Sequence, residues 1–308
     1  MILRELPDPH DLLHNPSFRE QFYRTWGKRN FVIDATGRDL EYPPYQQRLS
    51  VKMAGSGRET YFVDGRELAV DDDSYLVLND GVTYGSAIAK RSAVNSFSVF
   101  FRPRLAEEVL ATLVTPADQL LSSPDSLPPA VEFSQALRPH DQHVSPVLRH
   151  IKEQIAAGTD DELWLEEQLG VLAKRLLEAH RADLRAVKNI QARKRSTRLE
   201  IFRRVTLATD FIHAHYKRPL GNEDLARIAT MSPFHFIRAF RAVHGTTPYR
   251  FLQTKRARVA ARLLSKTDLP VTEIAARVGF DDRASLFRCM RMVYGSSPRT
   301  IRQRARGV

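Results

Sequence analysis

Between Asn222 and Ile301 one short pattern occurs twice, and that repeat limits what the chain can fold into. The first copy runs Leu225-Ala226, Met231-Ser232, Phe236, Arg238, Phe240, Gly245 and Thr247-Pro248. The second runs Ile274-Ala275, Gly279-Phe280-Asp281, Leu286, Arg288, Met290, Gly295 and Ser297-Pro298. Ala226 and Ala275 are 49 residues apart, whereas Phe236, Phe240, Gly245 and Pro248 stand 50 from Leu286, Met290, Gly295 and Pro298, so the second copy has one extra residue in its turn. Two copies are too few for a solenoid, which needs about three. They mean that one supersecondary device is used twice.

Each copy reads as a short helix, a tight turn and a second helix. Asn222 is placed to cap the first helix, with Glu223 and Asp224 at its positive end. Ser232-Pro233 opens the next as N-cap and N1 proline, and Gly245 closes it as a left-handed C-cap. At about 100° per residue, Phe236, Phe240 and Val243 form one buried stripe, with Phe234, Arg238 and Arg241 on the opposite side. In the second copy Leu286, Met290 and Val293 point inward and Ala284, Arg288 and Arg291 outward. Thr247-Pro248 starts a connecting helix that runs to about Lys266, on the order of 30 Å at 1.5 Å per residue. One turn of DNA is about 34 Å. Two arginine-bearing helices at that separation are what a helix-turn-helix pair presents to successive major-groove segments.

The candidate DNA-binding residues are therefore Phe234, Ile237, Arg238 and Arg241 in the first copy and Arg283, Ser285, Phe287, Arg288 and Arg291 in the second. Arg238 and Arg288 occupy the position from which guanine O6 and N7 are read. Phe234, on the same face, is placed to touch a thymine methyl. Arg241 and Arg291 lie almost a turn further on, where phosphate is the expected partner. Arg283 and Ser285 replace the aromatic of the first copy, so the two half-sites should differ and the operator should be an asymmetric direct pair.

Residues from about 200 to 304 resemble the DNA-binding domain of AraC/XylS-type bacterial transcription regulators. The matching residues are Leu225-Ala226, Ser232, Phe236, Arg238, Phe240, Gly245, Pro248-Tyr249, Leu263-Leu264, Ile274-Ala275, Gly279-Phe280, Arg288, Tyr294-Gly295, Pro298 and Ile301-Arg302. The resemblance implies a sequence-specific regulator of transcription, more often an activator than a repressor. It also implies RNA polymerase as a partner, a small-molecule effector of unknown identity in an amino-terminal cupin-like domain, and a homodimer. Two departures stand out. Thr230 occupies a turn position where the family often has a small residue, and a β-branched residue disfavours positive φ, so a different turn geometry is expected there. Leu286 and Met290 replace the usual aromatics.

Charge divides the chain. Its net charge is +11, yet residues 181–308 hold 28 Lys and Arg against 9 Asp and Glu, or +19, leaving 19 against 27, or −8, for residues 1–180. A basic half joined to an acidic one is expected when one part binds nucleic acid and the other does not. The single cysteine, Cys289, excludes an internal disulfide or a cysteine zinc cluster and reads as a small buried hydrophobe. The start lacks the apolar run of a signal peptide, and no stretch approaches the ~18 apolar residues of a membrane span. The chain thus reads as soluble and cytoplasmic, with no membrane partner.

Before the repeat the signals change. Asn15-Pro16 starts a helix with Phe18, Phe22 and Trp26 on one stripe, ended by Gly27. From about 31 to 101 strands dominate. Leu49, Val51 and Met53 alternate with Arg48, Ser50 and Lys52 as a half-buried strand. Glu59–Val63 and Arg66–Val70 flank Asp64-Gly65, a hairpin signal. Tyr75–Leu78 and the alternation at Phe97, Val99 and Phe101 add two more strands. Together they suggest a small β-barrel or jelly roll. Tyr61, Phe62, Tyr75, Tyr84, Phe97 and Phe100 are candidates to line a pocket, though each fits ordinary core as well. A helix follows over about 104–114, then an irregular stretch over 116–145. Ser145-Pro146 starts another helix, and Asp160-Asp161 caps a longer one. On it Leu165, Leu169, Leu172 and Leu176 form a coiled-coil-like seam. That seam packs either on its own barrel or on a second copy, and the family's habit favours a dimer. Arg193-Lys194-Arg195 reads as a hinge or as phosphate contacts.

The expected architecture is multidomain α+β. It comprises a cupin-like β-rich effector domain over 1–115, a segment of irregular chain, dimerisation-type helices and linker over 116–197, and an all-α domain over 198–308 with two helix-turn-helix units joined by a linker helix. Two other functions fit the residues less well. A cupin enzyme fused to a DNA-binding domain needs histidines and a carboxylate converging in the barrel, but no histidine lies between His14 and His140. His213 and His215 point about 160° apart on a helix, and His10 and His14 lack a third ligand nearby. No enzyme activity, metal or cofactor is expected. An architectural DNA-binding protein with no effector would not need an acidic, strand-rich first half.

Overall fold

The computed structural model describes the chain except for Arg19 and residues 21–27, 91–92, 123–126 and 306–308. It comprises two compact units, Met1–Asp183 and Leu184–Val308. The first is rich in sheet and the second is helical. No helix among the described residues is long and apolar enough to cross a membrane.

In the first unit, β1 (Ile2–Leu3), β2 (Phe31–Gly37), β9 (Val94–Phe100), β4 (Ser50–Ser56), β7 (Ser74–Leu78) and β10 (Leu137–Pro139) lie in that order in one sheet. A second sheet holds β3 (Leu40–Gln46), β8 (Thr83–Ile88), β5 (Arg58–Val63) and β6 (Arg66–Asp71). The β5–β6 hairpin closes with Val63 opposite Arg66, and Asp64 (φ 49°) and Gly65 (φ 72°) both adopt the left-handed conformation of a type I′ turn. Asn15 and Phe18 behave as the sequence suggests, the Asn15 Oδ1 accepting the Phe18 N–H at 3.0 Å. Phe22, Trp26 and Gly27 fall outside the described residues.

The helices of this unit are α1 (Pro9–His14), α2 (Leu105–Val114), α3 (Ala117–Ser122), α4 (Val144–Ala156) and α5 (Glu162–Asn189), of which α2, α4 and α5 cover one face of the first sheet while α1 lies against β3. Val32, Val51, Met53, Tyr75, Val77, Phe97 and Val99 meet Leu105, Leu148, Ile151, Ile155, Leu169 and Leu172 in a single core. The Leu165, Leu169, Leu172 and Leu176 seam lies wholly inside it, no more than 2% exposed. The dimer favoured for that seam is thereby corrected: its leucines already have partners in their own chain.

Three local expectations also change. Strand β4 is not half-buried, since Ser50 and Lys52 are as enclosed as Val51 and Met53; the face opposite the helices looks into the space between the two sheets. The stretch 116–145 is not wholly irregular, because it contains α3 and also β10, which pairs Leu137 with Leu76. The Asn79 side chain fastens it further, donating to Phe133 O and accepting from Phe133 N–H, both at 2.8 Å. Finally, Ser145 lies within α4 rather than at its start. The cap residue is His143, and Asp141 just before it supports the start, its Oδ1 accepting the N–H groups of His143 and Val144 at 2.7 Å.

The second unit contains α6 (Arg195–His215), α7 (Asn222–Ile228), α8 (Pro233–His244), α9 (Pro248–Lys266), α10 (Val271–Arg277), α11 (Arg283–Tyr294) and α12 (Pro298–Ala305). One core joins Phe236, Phe240, Leu252, Ala257, Ala260, Leu264, Ile274, Leu286 and Met290. Within it α9 is the common support. Its buried Arg256 donates to Tyr216 O at 2.8 Å and Arg218 O at 2.7 Å, satisfying carbonyls just beyond the end of α6. Cys289 is buried beside it, its thiol donating to Gln253 O at 3.3 Å, and burial pushes that thiol up to about 11.

Candidate nucleic-acid interface

The two helix pairs, α7–α8 and α10–α11, have the same backbone at their turns. Met231 N–H reaches Ala226 O and Phe280 N–H reaches Ala275 O, each at 2.9 Å. Ala229 N–H bonds Leu225 O at 3.0 Å, as Val278 N–H bonds Ile274 O at 3.1 Å. The long bond back across the helix end is the mark of a Schellman close, which places one residue in the left-handed region. Gly279 takes that place in the second pair (φ 90°), and Thr230 takes it in the first (φ 49°). The altered geometry expected from Thr230 does not occur. Its carbonyl is held by Arg204 Nη1 at 3.0 Å. The connection is 229–232 in the first pair and 278–282 in the second, so the extra residue lies after the shared turn.

Caps set the helix starts. Gly221, not Asn222, is the cap residue of α7, and the Asp224 carboxylate reaches back to Gly221 N–H at 3.0 Å. Ser232 caps α8 by position, with Pro233 following, and makes no side-chain cap bond. Asp282 caps α11, its Oδ1 accepting Ser285 N–H at 2.6 Å, and that bond holds its carboxyl below the usual carboxylate range. Gly245 (φ 67°) and Gly295 (φ 62°) end α8 and α11. Thr247 caps α9 through Arg250 N–H at 3.2 Å.

These starts and stops fix which side of each helix is free. Phe236 and Phe240 in α8, and Leu286 and Met290 in α11, are fully buried. Arg238, Arg241, Arg283, Arg288 and Arg291 are exposed, and Ile237, Ser285 and Phe287 are half-buried. Phe234 is 77% exposed, an unusual state for a phenylalanine with a core nearby. Each outer face carries an arginine over an aromatic ring: Arg238 lies 5.8 Å from the Phe234 centroid, and Arg283 lies 5.0 Å from that of Phe287. Arg288 Nη2 donates to Ser285 Oγ at 3.0 Å. Stacking and this bond restrict the guanidinium groups before any ligand arrives, while their remaining donors face outward.

The supporting side of this unit is also polar and was not evident in the sequence. Glu200 accepts from Arg203 Nε at 3.0 Å and Arg204 Nε at 2.8 Å, which hold its carboxyl down at about 2. His244 lies against Phe240 and accepts or donates at Thr209 Oγ1 at 2.9 Å; burial lowers it to about 4.

In the first unit, a cavity of about 40 Å³ lies between the sheets. Of the six aromatics proposed as pocket residues, Tyr61, Tyr84 and Phe100 line it. Tyr75 and Phe97 belong to the core under the helices, and Phe62 is exposed. Lys52 and Glu59, which the strand alternation did not mark, also line the cavity. Among the described residues no three His, Cys, Asp or Glu side chains gather in a way that could hold a metal ion.

Residues 225–304, the stretch that contains both helix pairs, match the helix-turn-helix domain family. Over 112 residues the chain is 33% identical to the MmsAB operon regulatory protein of Pseudomonas aeruginosa, covering 35% of this chain and 36% of that one. Over 84 residues it is 39% identical to the RCS-specific HTH-type transcriptional activator RclR of Escherichia coli, covering 27% of this chain and 30% of that one. The matched region thus spans about a third of the length of these relatives. The crystal structure of the DNA-binding domain of AdpA, a global transcriptional factor, in complex with a target DNA matches 33% of this chain and 93% of its own, at 34% identity and a TM-score of 0.33. The helix-turn-helix family match falls on the carboxy-terminal helices α7 to α12.

Proposed function

We propose that the chain is a sequence-specific, DNA-binding transcription regulator whose first unit, a cupin-like barrel, answers to a small molecule. The observation that carries the DNA-binding half is the equivalence of the two helix pairs. The same turn, the same left-handed C-cap and the same outward arginine position recur at the two ends of α9, which has 19 residues and so measures about 28 Å at 1.5 Å each. Two helix-turn-helix units at that separation match successive major-groove segments on one face of a duplex, about 34 Å apart. The family match and the +19 charge of residues 184–308, from 27 Lys and Arg against 8 Asp and Glu, support the same reading.

In this reading Arg238 and Arg288 contact base edges, Phe234 meets a thymine methyl, and Arg241 and Arg291 contact phosphate. Arg283 and Phe287 give the second unit a different surface from Phe234 and Ile237, so the half-sites differ. The seam of α5 takes no part in assembly. Selection of binding sites from a random DNA library tests the assignment. Arg238→Ala and Arg288→Ala should each relax base preference in one half-site, the two about 10 base pairs apart. Arg241→Ala should weaken all sequences alike. Unchanged base preferences with only lower yield for Arg238→Ala and Arg288→Ala would show that neither arginine reads a base.

A further inference from the structure

The cavity between the sheets holds an ammonium that no described residue bonds directly, although the Glu59 carboxylate in the same space acts on it through charge. Lys52 stands in the middle of β4 and is 2% exposed. Its ammonium lies 3.6 Å from the centroid of Phe100, 5.2 Å from that of Tyr84 and 5.9 Å from that of Tyr61. Among the described residues it makes neither a hydrogen bond nor an ion pair within 4.0 Å. The carboxylate in the same space, Glu59, is not bonded to the ammonium: it favours the charged lysine only through space, and it also raises the Tyr61 hydroxyl beside it. Aromatic faces attract an ammonium but do not replace the hydrogen bonds it gives up on leaving water. With Glu59 acting only through space, the buried ammonium's own donors stay unfilled until an acceptor joins it.

The space beside Lys52 sets the size of that anion. The cavity measures about 40 Å³, and its wall includes Ser96 and Ser98 as well as the rings. One water needs about 10–15 Å³ measured in this way, so the room suits a group of a few heavy atoms. We propose that this cavity binds a short-chain monocarboxylate, of acetate or propionate size, whose oxygens accept from the Lys52 ammonium while its alkyl end lies against Tyr84 and Phe100. The proposal deepens the sensor reading, on which only the ligand's effect on DNA binding rests.

Binding of this kind depends on pH in a definite direction. Burial lowers Lys52 to about 7, with Glu59 acting the other way. The other titratable groups facing the cavity are Tyr42, Tyr45, Tyr61 and Tyr84; burial pushes Tyr42 and Tyr61 upward, so they stay protonated through this range. A carboxylate needs Lys52 charged, so its affinity should fall as pH rises above about 7, by up to about tenfold per unit.

The experiment is titration of the full chain with sodium acetate and sodium propionate against sodium chloride at equal ionic strength, followed calorimetrically. The carboxylates should bind at one site, and Lys52→Met should weaken them at least about tenfold, as loss of a charge-assisted hydrogen bond does. Wild-type affinity measured between about pH 6 and 8.5 gives a second test that needs no variant. Equal binding by Lys52→Met, affinity independent of pH over that range, or no binding beyond that of chloride would each overturn the site. Carboxylate binding that needs Lys52 but leaves affinity for DNA unchanged would support the site and count against the sensor reading.

Discussion

Thr230 and Gly279 hold the same left-handed place in the two turns, and exchanging residue types there should have opposite effects. For a residue with a Cβ the left-handed region costs about 1–2 kcal/mol. Thr230 is exposed at φ 49°, and its side chain's hydrogen bond from Oγ1 to the neighbouring Ala229 O at 2.8 Å exchanges for one to water, so it repays little of that strain. Replacing it with glycine removes the strain but adds about 0.5–1 kcal/mol of unfolded-state freedom. The net expectation for Thr230→Gly is a gain of about 0.5–1 kcal/mol, or about 2–4 °C in the melting of the second unit. Gly279 is different. A Cβ there would lie 2.6 Å from Lys217 O and 3.0 Å from both the Cα and C of Lys217, all backbone. That loop is in turn held by Arg256 at Tyr216 and Arg218, so it has little room to retreat. Gly279→Ala should therefore suffer both the φ strain and a collision, and lose at least about 2 kcal/mol. Differential scanning calorimetry of the full chain measures both. Equal small shifts for the two variants, or destabilisation by Thr230→Gly of more than about 0.5 kcal/mol, would refute the account of the turn.

Leu169→Asp combined with Leu176→Asp should unfold the first unit, since each puts an unpaired carboxylate into a closed core; far-ultraviolet circular dichroism together with light scattering would instead expose a folded monomer if the seam were intermolecular. Residues 184–308 should fold alone, having their own core, and bind DNA with an affinity that falls steeply between roughly 50 and 200 mM salt; a flat dependence in a filter-binding assay would contradict phosphate contact. His244 is half-buried, and desolvation lowers it to about 4, so the unfolded chain takes up a proton there before the folded one does. The second unit should be at full strength above about pH 6.5 and lose up to about 3 kcal/mol as pH falls from there through 4. His244→Gln should flatten that part of the pH profile in urea titrations.

Much of the second unit could be read from residue order, because its determinants are local. Pro233, Pro248 and Pro298 open helices, Gly245 and Gly295 close them, and the spacing of Phe236 to Phe240 sets the inward stripe. What escaped was decided by partners distant in sequence. Thr230 was expected to distort its turn, yet the Schellman bonds and the Arg204 anchor hold it in the left-handed region. In the first unit, Ser50 and Lys52 alternate with Val51 and Met53 as polar residues facing water would. Two-residue periodicity distinguishes the faces of a strand but cannot tell water from an enclosed polar space. The four leucines of α5 likewise have a spacing that suits a second helix or a sheet equally well. Only the apposed face of β2, β9, β4 and β7 decides between them.

The lone thiol of Cys289 gives the second unit a built-in clock. Buried, bonded to Gln253 O and pushed up to about 11, it is almost unreactive while the helices around it stay closed. An alkylating reagent can reach it only during an opening, and since the chain has no other cysteine, every modified molecule records that one event. When reclosing is fast, the labelling rate scales with the fraction of time α11 is lifted from α9. The chain thus reports the local breathing of its second helix pair separately from the first, where no thiol stands.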